Sequence, residues 1–193
     1  MRAGAPSTQI LAKNTGEMAK QKDEDVRLES ELLLCIGAPV MVLHNLCISH
    51  GLLNGTKGTV YDILYHPNTK EAAAILILVP KRVGNKDGYS GPSFLTQEEV
   101  RDGVNLEEFA VVALGEYTVE EVEGHVTSSR TQFPIMLSWA VTVHKAQGLT
   151  LPQVIFNAGD DEMNAGIFFV GLTRVRHPNH LKFHPMPTKY RVM

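Results

Sequence analysis

The stretch Thr142–Phe156, TVHKAQGLTLPQVIF, decides how the C-terminal third of the chain is read. His144, Lys145, Ala146, Gln147 and Gly148 break what is otherwise one apolar run passing into another. Upstream lies FPIMLSWAVT (133–142), apolar and strand-like, which places Trp139 in the core. Downstream, LPQVIFNA is again strand-like, and GDDE offers Asp160 or Asp161 as a helix cap. Residues 163–176 have helical length, HPNH stops them, and LKF (181–183) makes a last short strand. Strand, polar turn, strand, helix, strand is an α/β pattern. In open α/β sheets ligands collect beyond the carboxyl ends of strands, and the break after Thr142 is read as such an end. A hydroxyl at Thr142, a ring nitrogen at His144, a point charge at Lys145 and an amide at Gln147 suit phosphate and sugar contacts. Gly148 lets a backbone approach closely. The plainer alternative is a surface turn whose polar groups are solvated.

Working outward, residues 1–30 are mostly polar and end in the charged run AKQKDEDVRLESE, read as a solvated helix or linker with a short strand near Ile10–Lys13. In LLLCIGAPVMVLHNLCI (32–48) the GAP triplet separates a short strand from a second at Val40–Leu43. Asn54, Gly55 and Gly58 mark a turn before the run Thr59–Tyr65, and GLLNGTKG, despite its letters, lacks P-loop spacing. Further strands are read at Ala73–Val79, FAVVAL and YTVEEV, with Gly115 between the last two. Short strands joined by glycine-rich turns point to a small β-barrel. The expected organisation is a leader at 1–30, a discontinuous and incomplete α/β domain at 31–50 and 130–193, and an inserted barrel at 51–129.

The 193 residues carry 18 basic and 21 acidic side chains, a net charge of −3, which argues against a nucleic-acid coat protein but leaves room for a local basic groove. Cys35 and Cys47 form no CxxC pair and read as free thiols. The first residues lack a signal-peptide core, and no stretch is apolar enough to span a membrane. His177, His180 and His184 have no acidic or cysteine companion and prolines break their spacing, so no metal site is expected.

Arg174 and Arg176 fall near the end of an otherwise apolar helix. Arg176 suits the helix dipole, whereas Arg174 calls for a carboxylate or phosphate partner. Together WAVTVHKAQGLTL, FFVGLTRVR and GAPVMVLHNLCISHGLLNGTKGTVYDI resemble, in order, segments of superfamily-one RecD-like, Pif-type ATP-dependent DNA helicases, with helitron-encoded relatives especially similar. The resemblance covers roughly 36–65 and 133–183, and departs from the common pattern at Ala146 (often Ser) and in LTR for LSR.

The resemblance implies an α/β fold: a partial RecA-like P-loop NTPase-type domain, the second motor domain, with an inserted SH3-like barrel. It makes Arg174 the arginine finger that reaches the ATP γ-phosphate, a group worth about 10³–10⁵ in rate where it has been removed. Gln147, Gly148 and Arg174 become nucleotide-binding, and Thr142, His144 and Lys145 face single-stranded DNA. It further implies ATP and Mg²⁺ as cofactors, 5′-to-3′ unwinding, roles in DNA repair and recombination, and action in the nucleus or mitochondrion. The sequence contains no G-x-x-x-x-G-K-[ST], and VIFNAGDDE sits in the wrong place for a magnesium-binding strand end. The chain is therefore expected to be the C-terminal part of such a helicase, inactive alone, with ATP and Mg²⁺ held mainly by a separate P-loop-bearing domain. The alternative is a non-catalytic DNA- or partner-binding remnant.

Overall fold

The structure is a computed structural model that describes residues 7–82, 88–123, 125–148, 150–157 and 166–184. The strands in chain order are β1 (Thr8–Leu11), β2 (Lys13–Thr15), β3 (Glu31–Leu34), β4 (Pro39–Val42), β5 (Lys57–Tyr65), β6 (Ala72–Pro80), β7 (Phe109–Leu114), β8 (Tyr117–Glu123), β9 (Val126–Gln132), β10 (Ile135–Leu137), β11 (Val154–Phe156) and β12 (Leu181–Phe183). Helices α1 (Asp23–Val26), α2 (Val143–Ala146) and α3 (Ile167–Leu172) are short. Two compact units result, Met1–Trp139 and Ala140–Met193.

The first unit is built on an antiparallel five-stranded sheet of order β10-β4-β5-β6-β7. Its strands are apolar on both faces because both are covered. Val40, Val60, Ile75, Ile77, Phe133 and Ile135 pack on one side. Tyr61, Leu76 and Val111 meet Leu95, Val100 and Leu106 on the other. The pairing crosses both boundaries expected from the sequence, since β4 and β10 hydrogen-bond within the same sheet as β5 to β7. The GAP turn fits its reading, with Gly37 at φ +86°.

The leader is not a solvated linker. β1 pairs with β3, β2 pairs with β9, and Met18, Val26 and Leu28 are buried. What fastens this segment is Arg130 on β9, whose side chain is 1% exposed. Its Nε donates to Asn14 Oδ1 at 2.9 Å. Nη1 donates to Asp23 Oδ1 at 2.6 Å and to the Leu28 carbonyl at 2.9 Å. Nη2 donates to the carbonyls of Met18 and Gln21 at 2.9 and 3.1 Å. A guanidinium has five N–H donors, and here each meets an acceptor, so burying the charge leaves no group unsatisfied. The Asp23 carboxylate in turn accepts from the Ser30 backbone and hydroxyl.

The second unit holds the parallel pair β11–β12, in register Val154↔Leu181 to Phe156↔Phe183. Parallel neighbours need a crossover, and α3 lies within it. Phe156 is buried; its ring meets Phe168 edge-on at 5.3 Å, and Phe168 stacks on Phe183 at 6.2 Å. Gly171 sits directly over Phe156, where a Cβ would overlap the ring. Gly171→Ala is expected to cost about 1–3 kcal/mol through overpacking. Urea unfolding of the variant measures it, and a cost below about 0.5 kcal/mol contradicts this packing.

Candidate nucleotide and DNA site

All the candidate residues fall in the second unit, on two segments. The first is α2 and its flanks. Its geometry corrects the reading of a broken strand. β10 ends at Leu137 and pairs antiparallel with β4, so Thr142 does not lie at the carboxyl end of a parallel strand. Residues 143–146 form a helical turn, closed by Ala146 N–H donating to the Thr142 carbonyl at 3.0 Å and Gln147 N–H to that of His144 at 3.2 Å. With 3.6 residues per turn, four helical residues cannot all face one way. Ala146 turns inward and is 6% exposed, while Thr142, His144 and Gln147 are exposed. Lys145 belongs to the same turn, and its side chain lies outside the described residues.

The small residue at 146 follows from this burial. α2 packs against α3, and the buried position 146 holds a methyl group, which needs no polar partner. Gly148 has φ +80° with open space around its would-be Cβ. Its glycine is thus required by the left-handed backbone that ends α2.

The second segment is the end of α3. Thr173 is its C-cap, so Arg174 stands just beyond the helix rather than within it. The Arg174 carbonyl accepts from Leu151 N–H at 2.8 Å, and Leu151 and Val175 form a parallel bridge. The residue is therefore tied by its backbone to a position three beyond Gly148. Its side chain folds back on the helix: Nε donates to the Val170 carbonyl at 2.7 Å and Nη2 to Thr173 Oγ1 at 2.8 Å. A cation against the last carbonyls is favoured by their partial negative charge. The helix end thus supplies Arg174 with partners that the sequence reading reserved for Arg176, which is exposed.

Trp139 is 56% exposed and lies outside any strand, because the strand of that segment is only three residues long. Asp160 and Asp161 lie outside the described residues. Among the described residues no three His, Cys, Asp or Glu side chains are grouped to hold a metal. His177 instead accepts the Asn179 N–H through Nδ1, closing the turn that precedes β12. Cys35 and Cys47 are free thiols and half-buried. No helix among the described residues is long and apolar enough to cross a membrane.

Sequence and fold comparisons agree with one another. Residues 28–63 match the model of the DNA helicase Pif1 2B domain. The chain is 32% identical over 154 residues to the ATP-dependent DNA helicase PIF6 of Trypanosoma brucei brucei, which covers 80% of this chain and 16% of that protein. It is 30% identical over 176 residues to human ATP-dependent DNA helicase PIF1, covering 90% of this chain and 23% of that protein. Among solved structures it is similar to a Pif1 helicase from Bacteroides in complex with ADP-AlF3 and single-stranded DNA, with TM-score 0.61 and 22% identity over 96% of this chain and 36% of that one. The chain is a member of the Pif1-type DNA helicase family, and it spans less than a quarter of these two curated relatives.

Proposed function

We propose that the chain is the part of an ATP-dependent, Pif1-type DNA helicase that supplies the arginine finger and a section of the single-stranded DNA track. The observation that carries this is the backbone tie between Leu151 and Arg174, which holds the arginine beside the segment bearing Thr142 to Gly148 in one compact unit. On this reading Arg174 meets the γ-phosphate, with Gln147 and Gly148 at the nucleotide edge. Exposed Thr142 and His144, with Lys145, hold phosphates and sugars without reading sequence.

The parallel pair β11–β12 with α3 supports assigning the second unit to a second RecA-like motor domain. The antiparallel five-stranded sheet supports an SH3-like barrel in the first. The match over residues 28–63 favours starting that barrel before residue 51. ATP and Mg²⁺ would be bound mainly by a P-loop-bearing domain, whose sequence motif these 193 residues do not contain. Coupled hydrolysis would drive 5′-to-3′ unwinding, in the nucleus or mitochondrion, and the chain alone would not turn over ATP.

The second reading, a non-catalytic binding module, draws on the Arg174 guanidinium being engaged by its own helix. The two are separated by replacing the matching segment of human PIF1 with this chain. DNA-stimulated ATPase activity in the folded chimera is the expected result. A folded chimera that binds single-stranded DNA and hydrolyses no ATP favours the binding module.

A further inference from the structure

The edge strands β8 and β1 are built differently. β8 is the outer strand of the sheet β2-β9-β8 and carries exposed Glu120 and Glu121. Charged side chains on an edge strand keep other chains from pairing with it. β1 pairs only with β3 among the described residues, and its sequence TQIL has neither a charge nor a proline. The register shows which of its groups are unused. Ala12 N–H donates to the Ser30 carbonyl at 2.9 Å, in step with the pairs Ile10↔Leu32 and Thr8↔Leu34. Antiparallel strands bond through alternate residues, so Gln9 and Leu11 turn their N–H and C=O groups away from β3. No other backbone group meets them among the described residues.

A groove of about 390 Å³ runs beside this strand, lined by residues 8–13 together with Tyr65, residues 70–72 and Glu116. The Tyr65 and Thr8 hydroxyls share a hydrogen bond at 2.6 Å, and Lys13 pairs with Glu116 at 2.8 Å, so these polar tips already have partners. The charged lining balances, Lys13 and Lys70 against Glu71 and Glu116, and offers a phosphate backbone no net attraction. What remains on offer is main-chain donors and acceptors beside exposed leucines. Leu11 is 64% and Leu33 53% exposed, and the register makes them diagonal neighbours on the outward face of β1 and β3. A two-stranded sheet is marginal by itself and gains from a third strand.

We propose that the free edge of β1 is a docking site for an extended segment of another protein, uncharged and apolar at every second residue, which adds as a strand beside residues 9–11. Strand addition takes its affinity from main-chain hydrogen bonds and its selectivity from alternate side chains, here the apolar ones that lie beside Leu11. The docking site is independent of the helicase reading. Selection from a displayed library of short random peptides against the whole chain tests it, with Leu11→Pro as the counter-target. Proline removes the outward N–H and leaves the bonds of Ile10 and Ala12 to β3, and an edge strand tolerates it. Leu11→Lys, which keeps the backbone and adds a guarding charge, is a second counter-target that serves if the proline variant unfolds.

Enriched peptides are expected to alternate apolar with uncharged polar residues and to slow hydrogen exchange at the Gln9 and Leu11 amides. They should bind each folded Leu11 variant at least about fivefold more weakly, the equivalent of one main-chain hydrogen bond. Val122→Lys, on β8, should bind them like wild type. No enrichment over the counter-targets, peptides whose binding ignores both Leu11 variants, or protection at amides other than those of Gln9 and Leu11 overturns the proposal. So does protection of these two amides by raised concentration of the chain alone, which would give the edge to a second copy, or by oligo-dT, which would give it to nucleic acid.

Discussion

Arg174→Ala is expected to lower ATP turnover by about 10³-fold or more in a human PIF1 chimera carrying this chain, with single-stranded DNA affinity nearly unchanged. The size follows from the chemistry. In phosphoryl transfer, charge spreads over the transferring group, and a cation placed there acts on the transition state more than on bound ATP. The affinity should survive because Thr142 and His144 lie on α2 and its flank, and Arg174 contributes only its carbonyl to the tie with Leu151. Alanine retains that carbonyl. Arg174→Lys should recover little, since an ammonium cannot reproduce the two directed contacts from Nε and Nη2. Loss of turnover and DNA binding together would make Arg174 a structural residue.

Arg130→Met is expected to destabilise the first unit by about 3–5 kcal/mol, the range for removing one partner from a buried charge pair. The carbonyls of Gln21 and Leu28 would lose the Arg130 donor, that of Met18 would keep only the Gln21 N–H, and Asp23 would face an apolar chain. Asp23 is 31% exposed and can regain some water, which places the cost nearer the lower end. Equilibrium urea unfolding gives the energy, and limited proteolysis between residues 12 and 30 shows whether the leader lets go first. A cost under about 1 kcal/mol, with the leader still protected, would contradict the account of Arg130 as the fastening of this segment.

Arg130 also shows why part of the fold was hidden in the sequence. β9 reads VTSSRTQ, and its buried positions are Ser128, Arg130 and Gln132. An inward face made of polar residues erases the apolar alternation by which a half-buried strand is recognised. Their partners sit more than a hundred residues earlier, so no local window contains both. The same blindness made the leader look like linker, because Met18, Val26 and Leu28 are too few to signal a core.

Where burial was apolar and local, the reading carried. β3 and β4 flank the expected GAP turn, β5 to β8 stand where β-branched runs placed them, and β11, α3 and β12 follow in the expected order. Misplacing Trp139 had one cause. FPIMLSWAVT is apolar throughout, and composition alone does not reveal that only Ile135–Leu137 finds a partner strand. For the candidate site, residue types were legible and geometry was not. The sequence put His144 and Gln147 in a polar break, but a helical turn and a left-handed Gly148 emerged only from the backbone. Thr173 drew attention merely as a departure from serine, since its hydrogen bonds to Val170 and Arg174 depend on how α3 ends.

The central claim is that the α2 segment is part of a track for single-stranded DNA, and it is tested most directly by fluorescence anisotropy of labelled oligo-dT with this chain at two salt concentrations. The account predicts binding that weakens as salt rises, as phosphate contacts require, and that weakens further in Thr142→Val and His144→Ala while both variants stay folded. Binding that ignores both salt and these two substitutions, or no binding by a folded chain, would contradict it.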